Sequence, residues 1–459
     1  MNRRDFIQSA AAAAALAAAG GFAGSSQAAQ KSVAPAYWKL ALTPPMGWNS
    51  YDYYGSTVTE AEVLANAEYQ QTHLLDFGYK YCVIDYLWFD PSQATGGVAH
   101  NGPLAMDKYG RLLPATNKFP SARGGVGFTP LADRIAAMGL EFGIHIMRGI
   151  PRQAVAANTP IFDSHFTARD AADVHSVCAW NSDMYGVRGN TPAGQAYFNS
   201  IIRLYASWGV RFIKVDDLSY PYHKAEIHAL RRALNQYGPK IVFSTSPGPT
   251  PISEAEDISH HANMWRIRND CWDSWRIIDN MIDLVAEWKG HGGPGHWPDC
   301  DMLPLGRIGR SAVGGLRMTH LTMDEQRTVM TLWGIAPSPL VIGSKLPGMD
   351  PWTLSLLTNP EMLAINQDPL GAQGIRITQN GPLEFWAKHL AGGALAIALF
   401  NRGPNDGTMV AAAWRKLGLP ARCVVRDVWN NSSLGEHNGW ISLPVASHGA
   451  KLLIVRRPD

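Results

Sequence analysis

From about Ala41 to Gly371 one pattern repeats: a short apolar run ending in a polar or charged residue, then a longer stretch with apolar residues at helical spacing. Eight runs are predicted as strands, over 46–50, 79–85, 140–147, 210–216, 240–246, 263–268, 296–302 and 339–343. Several are apolar without alternation, such as Tyr81-Cys82-Val83-Ile84 and Phe142-Gly143-Ile144-His145-Ile146. Such runs suit strands covered on both faces, which is how parallel sheets are built. The stretches 130–138, 194–208, 224–237 and 274–288 are predicted as helices. Strands alternating with helices imply a parallel α/β fold, and eight units over about 330 residues suit a closed (β/α)8 barrel better than an open sheet.

The ends of the chain read differently. After Gly371 come short strands over 384–389, 394–401, 424–429 and 451–455, with turn signals at Asn430-Asn431-Ser432-Ser433 and Asn438-Gly439. They imply a barrel over 38–372 and a small antiparallel β-sandwich over 373–459. At the start, Arg3-Arg4 and Phe6 precede an Ala-rich run over 10–23, followed by Ser25, Ser26, Ala28 and Ala29. This order of charge, apolar run and small residues makes 1–29 an export signal of the twin-arginine type, too short to span a bilayer. The expected product is periplasmic or secreted, with no membrane anchor. That route carries proteins folded in a reducing compartment, so the five scattered cysteines are expected to be free, buried thiols.

In barrels of this kind, chemistry sits where the strands end. Those ends supply Trp48, Asp85, His145, Asp216, Ser246, Asp270 and Asp301. One aspartate there would be an ordinary helix cap. Four carboxylates on one rim point instead to acid/base or nucleophilic chemistry on a neutral polar substrate. The charge balance agrees: 40 Lys+Arg against 38 Asp+Glu leaves +2, with no footprint for nucleic acid. No metal is expected, because there is no His-Glu-x-x-His and His260-His261, His291 and His296 lack neighbouring ligands in sequence. No cofactor is expected either. There is no P-loop and no strand-linked G-x-G-x-x-G, and Gly124-Gly125-Val126-Gly127 reads as a turn. Paired carboxylates without a cofactor fit glycoside hydrolysis, and 16 Trp offer flat surfaces for sugar C–H faces.

An ordered set of segments resembles glycoside hydrolase family 27, the α-galactosidase family. It comprises Thr43-Pro44-Pro45-Met46-Gly47-Trp48-Asn49-Ser50, Phe77-Gly78-Tyr79-Lys80-Tyr81, Phe212-Ile213-Lys214-Val215-Asp216, Trp265-Arg266 through Asp270 to Trp275, Gly293-Pro294-Gly295, Asp301-Met302-Leu303, Ala364-Ile365-Asn366-Gln367-Asp368-Pro369-Leu370-Gly371, Phe385-Trp386 and Leu399-Phe400-Asn401-Arg402. The resemblance implies a retaining exo-glycosidase releasing terminal α-galactosyl residues. Asp216 would be the nucleophile and Asp270 the acid/base. Trp48 would floor the sugar, Asp85 and Lys214 would meet its hydroxyls, Arg266 would grip a hydroxyl or orient Asp270, and Asp301 and Met302 would close the pocket. The implied partner is an oligosaccharide or glycoside, with a homodimer as one option for assembly.

Three positions depart from the family pattern. Tyr86 follows Asp85 where a second aspartate is usual, His145 replaces a Tyr, and Ser246 stands where α-galactosidases tend to have Glu. The segment 148–184 is longer than the usual loop and is expected to reshape the outer site as a lid. These changes keep open α-N-acetylgalactosaminide or β-L-arabinopyranoside as the glycoside, or a carbohydrate-binding protein without turnover.

Overall fold

The eight predicted strands all form and lie parallel, as β1 (Met46–Asn49), β2 (Tyr81–Ile84), β3 (Glu141–Met147), β4 (Phe212–Asp216), β5 (Val242–Thr245), β6 (Met264–Arg266), β7 (Trp297–Asp299) and β8 (Leu340–Ile342). This computed structural model describes residues 34–92 and 102–458. Strand order follows the chain, with β8 beside β1. Between β7 and β8 the ring is drawn together by the parallel bridge Leu303–Ile342, where Leu303 N–H donates to Val341 O at 2.8 Å. Most of the strands end a residue or more earlier than the sequence suggests, because Asp85, Ser246 and Asp301 leave the ladder at the rim.

Residues two apart on a strand share a face, and that period organises the barrel interior. Tyr81, Val83, Phe212, Val242, Met264 and Trp297 pack together as an apolar plug, with Val341 against it. Continuing the same parity upward gives Asp85 above Val83, Lys214 and Asp216 above Phe212, Ser244 and Ser246 above Val242, Arg266 above Met264, and Asp299 and Asp301 above Trp297. On these five strands the interior therefore turns from apolar to polar within two residues. Gly143 makes room for the plug: a Cβ there would lie 2.9 Å from Phe212 Cβ and from Val83 Cγ2.

The outer helices bury one stripe each. Lys224–Tyr237 buries Ile227, Leu230 and Leu234, and Trp275–Glu287 buries Ile278, Met281, Ile282 and Val285. Helices Glu60–His73 and Met323–Ile335 both begin with a capping box, Thr59 with Glu62 and Thr322 with Glu325.

The C-terminal part is antiparallel, as expected. A six-stranded sheet is faced by the ribbon of Thr408–Ala413 and Trp440–Val445. Alternate residues Phe385, Leu395, Ile397, Leu399, Leu453 and Val455 meet Val410, Ala412, Ile441 and Val445 between the layers. The opposite face, with Trp386, Ala398, Phe400 and Leu452, joins the barrel core. Lys388, fully buried there, donates to Gly334 O at 3.2 Å and Ile365 O at 2.5 Å, at the C-terminal ends of two barrel helices. Those ends carry partial negative charge and suit a cation. Arg402 adds a second tie, bonding Asp279, Asp283 and the buried Glu384.

Segment 148–187 is structured. Ile150–Pro151, Ala172–Val177 and Met184–Val187 form a small antiparallel sheet. Arg148 roots it with bonds to Asp217, Glu226 and Ser176 at 2.9, 2.8 and 3.0 Å. All five cysteines are free and buried. The expected signal, 1–29, lies outside the described residues. Among those described, no helix is long and apolar enough to cross a membrane.

Candidate active site

Strand parity carries Phe212, Lys214 and Asp216 up one face of β4, and the last two meet the ends of β2 and β3. Asp216 Oδ2 lies 2.9 Å from His145 Nε2 on β3. Burial alone would push the Asp216 carboxyl up. The His145 hydrogen bond and the Lys214 charge, with Ser246 nearby, outweigh it and hold the group well below the usual carboxylate range. An ionised carboxylate only accepts, so His145 Nε2 carries the proton. Asp216 Oδ1 and Ser246 Oγ are both buried, and neither meets full hydrogen-bond geometry, although Ser246 stands close enough to Asp216 to help hold it ionised.

Asp85 is the best-held carboxylate of the rim. Its Oδ2 accepts from Asn49 Nδ2 at 2.6 Å and Lys214 Nζ at 3.0 Å, and its Oδ1 accepts from Tyr86 N–H at 2.8 Å. Burial opposes its charge, but Lys214, His145 and Asn49 lower it overall. Lys214 is correspondingly raised, with burial opposing and Asp85 and Asp216 prevailing.

The other half of the rim is organised by Arg266. Its Nη1 lies 2.6 Å from Asp301 Oδ1 and its Nη2 3.3 Å from Asp270 Oδ1. Asp301 sits in left-handed backbone (φ 86°) and is over-determined: Oδ2 accepts from Cys271 N–H at 2.6 Å, and its carbonyl accepts from Trp333 Nε1 at 3.1 Å. Burial raises Asp301 despite Arg266, with Asp270 and Asp299 adding to the rise. The Asp270 side chain is 55% exposed and that of Asp216 14%. One carboxylate is thus sunk beside a cation and one stands at the mouth. Met302 lines a small cavity with Ser246, Lys214, Arg266 and Asp301.

Trp48 requires correction. Gly47 and Asn49 continue the inward face of β1, so Trp48 points outward; it is fully buried and its Nε1 donates to Ser344 O at 2.8 Å. A ring enclosed there cannot floor a sugar. Tyr51 is an aromatic that does reach the site, its ring centre 6.0 Å from Lys214 Nζ. Burial drives its phenol far up, and the charges of Asp270 and Asp85 add to this. Asn49, Tyr51 and the buried Asp52 escape a reading limited to charged strand ends. The period of two through Gly47 and Asn49 is the signal that finds Asn49; Tyr51 opens the short helix Tyr51–Tyr54, where strand parity no longer applies. Asp52 Oδ2 has no partner, and burial, then Asp301 and Asp270, push its carboxyl well up.

Tyr86 is brought into the site. Its ring stands edge-on to His145 and Tyr51, with centroids 5.5 and 6.2 Å away. Its hydroxyl accepts from Asn181 Nδ2 at 2.7 Å, and Trp180 lies 6.1 Å from its ring. Segment 148–184 thus reaches the rim beside Asp85 and His145, a contact no local pattern announces.

One group away from the rim departs from expectation. His261 gains neighbours in His228 and Asp257, with His228 Nε2 2.8 Å from Asp257 Oδ1. The same carboxylate accepts from Tyr222 Oη at 2.6 Å and lies 3.4 Å from Lys224 Nζ. An ammonium that close opposes a second cation.

A (β/α)8 barrel with two unequal carboxylates and a lysine-held third on its C-terminal rim has the groups that a glycoside hydrolase needs. Comparison with known proteins gives the family. The alpha galactosidase A model matches residues 182–368, and that of the alpha galactosidase C-terminal beta sandwich domain matches 380–455. The α-galactosidase of Coffea arabica is 30% identical over 423 residues, covering 91% of this chain and 94% of its own. A GH27 β-L-arabinopyranosidase from Geobacillus stearothermophilus, solved with arabinose, is 44% identical with a TM-score of 0.90, covering 92% of this chain and 99% of its own. The α-galactosidase I of Mortierella vinacea is 25% identical with a TM-score of 0.71, covering 91% and 97%. The chain belongs to glycoside hydrolase family 27, the α-galactosidase family.

Proposed function

We propose that this is an exported, retaining exo-glycosidase whose glycone is a galactose-configured pyranoside lacking the 6-hydroxymethyl group, that is, a β-L-arabinopyranoside. The observation that carries this reading is Tyr86. The position after Asp85 holds a buried aromatic ring, backed by Trp180 and fixed by Asn181, in place of a second carboxylate. A hydroxymethyl group needs space and a polar partner, and a ring there supplies less of both. Asp85 and Lys214 keep their places for the ring hydroxyls that both sugars share. The 44% identity to an arabinopyranosidase supports the same choice. α-Galactosides are the second reading, favoured by the coffee enzyme's likeness along 91% of the chain. Export rests on the Arg3-Arg4 segment.

Asp216 Oδ1 is the attacking atom, since Oδ2 is engaged by His145. It bonds to the anomeric carbon as the aglycone oxygen leaves, taking the proton of Asp270. In the second step Asp270 removes a proton from water, whose oxygen displaces Asp216 and returns it to the carboxylate.

The test is kcat/KM on 4-nitrophenyl β-L-arabinopyranoside, α-D-galactopyranoside and N-acetyl-α-D-galactosaminide. The pentopyranoside should exceed the galactoside by at least about tenfold, the lower end of what one carbon's misfit costs in a shaped pocket. A galactoside preference would overturn the glycone assignment.

A further inference from the structure

The inserted segment 148–187 bears on specificity through a single amide, and this inference rests on the glycone reading above. Asn181 is 1% exposed. Its Oδ1 accepts from the backbone N–H of Asp183 at 2.8 Å, which fixes the orientation of the amide. With Oδ1 committed, Nδ2 must be the donor toward Tyr86 Oη at 2.7 Å and Asp183 Oδ2 at 3.2 Å. The Tyr86 ring is then held between Trp180 from the insert and the near-perpendicular rings of His145 and Tyr51 from the barrel. His145 in turn bonds the proposed nucleophile.

The base of the insert is equally constrained. Arg148 N–H donates to Asp216 O at 2.8 Å, while its guanidinium bonds Asp217 and Glu226. Asp217, directly after Asp216, is in left-handed backbone (φ 63°). The insert thus starts at the backbone of Asp216 and returns its Trp180-Asn181 corner to Tyr86, one strand beyond His145 on the same rim.

We infer that Asn181 is a positioning residue for specificity: it locks Tyr86 as a wedge against the carbon substituent that distinguishes a hexopyranoside from a pentopyranoside. Ring packing alone leaves Tyr86 small rotations about χ1 and χ2, and the bond from Asn181 narrows them at the tip of the phenol. The lock is therefore separable from the wedge.

The experiment is a double-mutant cycle on selectivity, the ratio of kcat/KM for 4-nitrophenyl β-L-arabinopyranoside to that for the α-D-galactopyranoside. Asn181→Ala should lower the ratio at least about fivefold, the effect of a coupling of roughly 1 kcal/mol. Tyr86→Phe, which removes the hydroxyl and leaves the insert intact, should move the ratio in the same direction. In the Tyr86→Phe background, Asn181→Ala should change the ratio less than about twofold, because the bond is already gone. A merely structural amide would depress both substrates together and leave the ratio where it was, which overturns the proposal. Equal effects of Asn181→Ala in both backgrounds overturn it too. If Asn181→Ala does not fold, an unmoved ratio in Tyr86→Phe does the same. Failure of the glycone reading is seen separately, as a wild-type preference for the galactoside, whereas failure here is seen as absent coupling.

Discussion

Asp216→Asn lowers kcat/KM by at least about four orders of magnitude, the scale of removing a covalent nucleophile, while thermal unfolding changes little. The site is built around the charge of this group. Lys214 and the His145 hydrogen bond overcome the burial that would otherwise keep it protonated. The sign for pH follows. A depressed carboxylate stays ionised as pH falls through the range where ordinary carboxylates titrate, so the acid limb of activity belongs to another group. An amide at 216 presents neither the charge nor the nucleophile, yet it can keep an acceptor toward His145 and so preserve the fold. Kinetics and circular dichroism on the same preparation separate the two effects. Activity within tenfold of wild type would remove Asp216 from the proposed role.

Asp270→Ala should divide substrates by leaving group. For aglycones of alkyl-alcohol basicity, kcat/KM should fall roughly 10²- to 10⁴-fold, the contribution of a positioned general acid. For a 4-nitrophenyl glycoside, whose phenolate leaves unaided, kcat/KM should fall far less, because that constant reports only the first displacement. Its kcat should still drop, since the second step lacks a base, and azide, which attacks without one, should restore it. The exposure of Asp270 at the mouth, beside Arg266, suits a group that must meet both leaving oxygen and water. Equal losses for both classes of substrate would argue for a structural role.

How much of this was legible beforehand can be traced residue by residue. The eight strands were readable because buried parallel strands need near-continuous apolar runs, and each run stopped at the rim. Asp85, Asp216, Asp270 and Asp301 were readable because a charged residue at or just past the end of such a run falls where the barrel interior opens to the rim, whereas Lys214, inside its strand, is named by the family resemblance. At Trp48 residue type and strand parity disagree: a tryptophan at a strand end suggests a sugar platform, and its place in the alternation turns it outward. One step along β1 moves a side chain from the barrel interior to the helix layer. Asn49 was within reach of that period of two. Asn181 was not: its pairing with Tyr86 spans 95 residues and depends on how an irregular insert folds back. The barrel and sandwich were legible as two patterns. The buried Lys388 and the Arg402 cluster that join them were not, since polar residues on a strand look solvent-facing until the partner helices are placed.

The central claim is that two carboxylates act in succession from opposite sides of one bond. Proton NMR of hydrolysis of 4-nitrophenyl β-L-arabinopyranoside, read before mutarotation, tests it most directly. The account predicts that the β-anomer of arabinose appears first. Initial release of the α-anomer would mean a single displacement by water and would contradict the assignment of Asp216 as nucleophile.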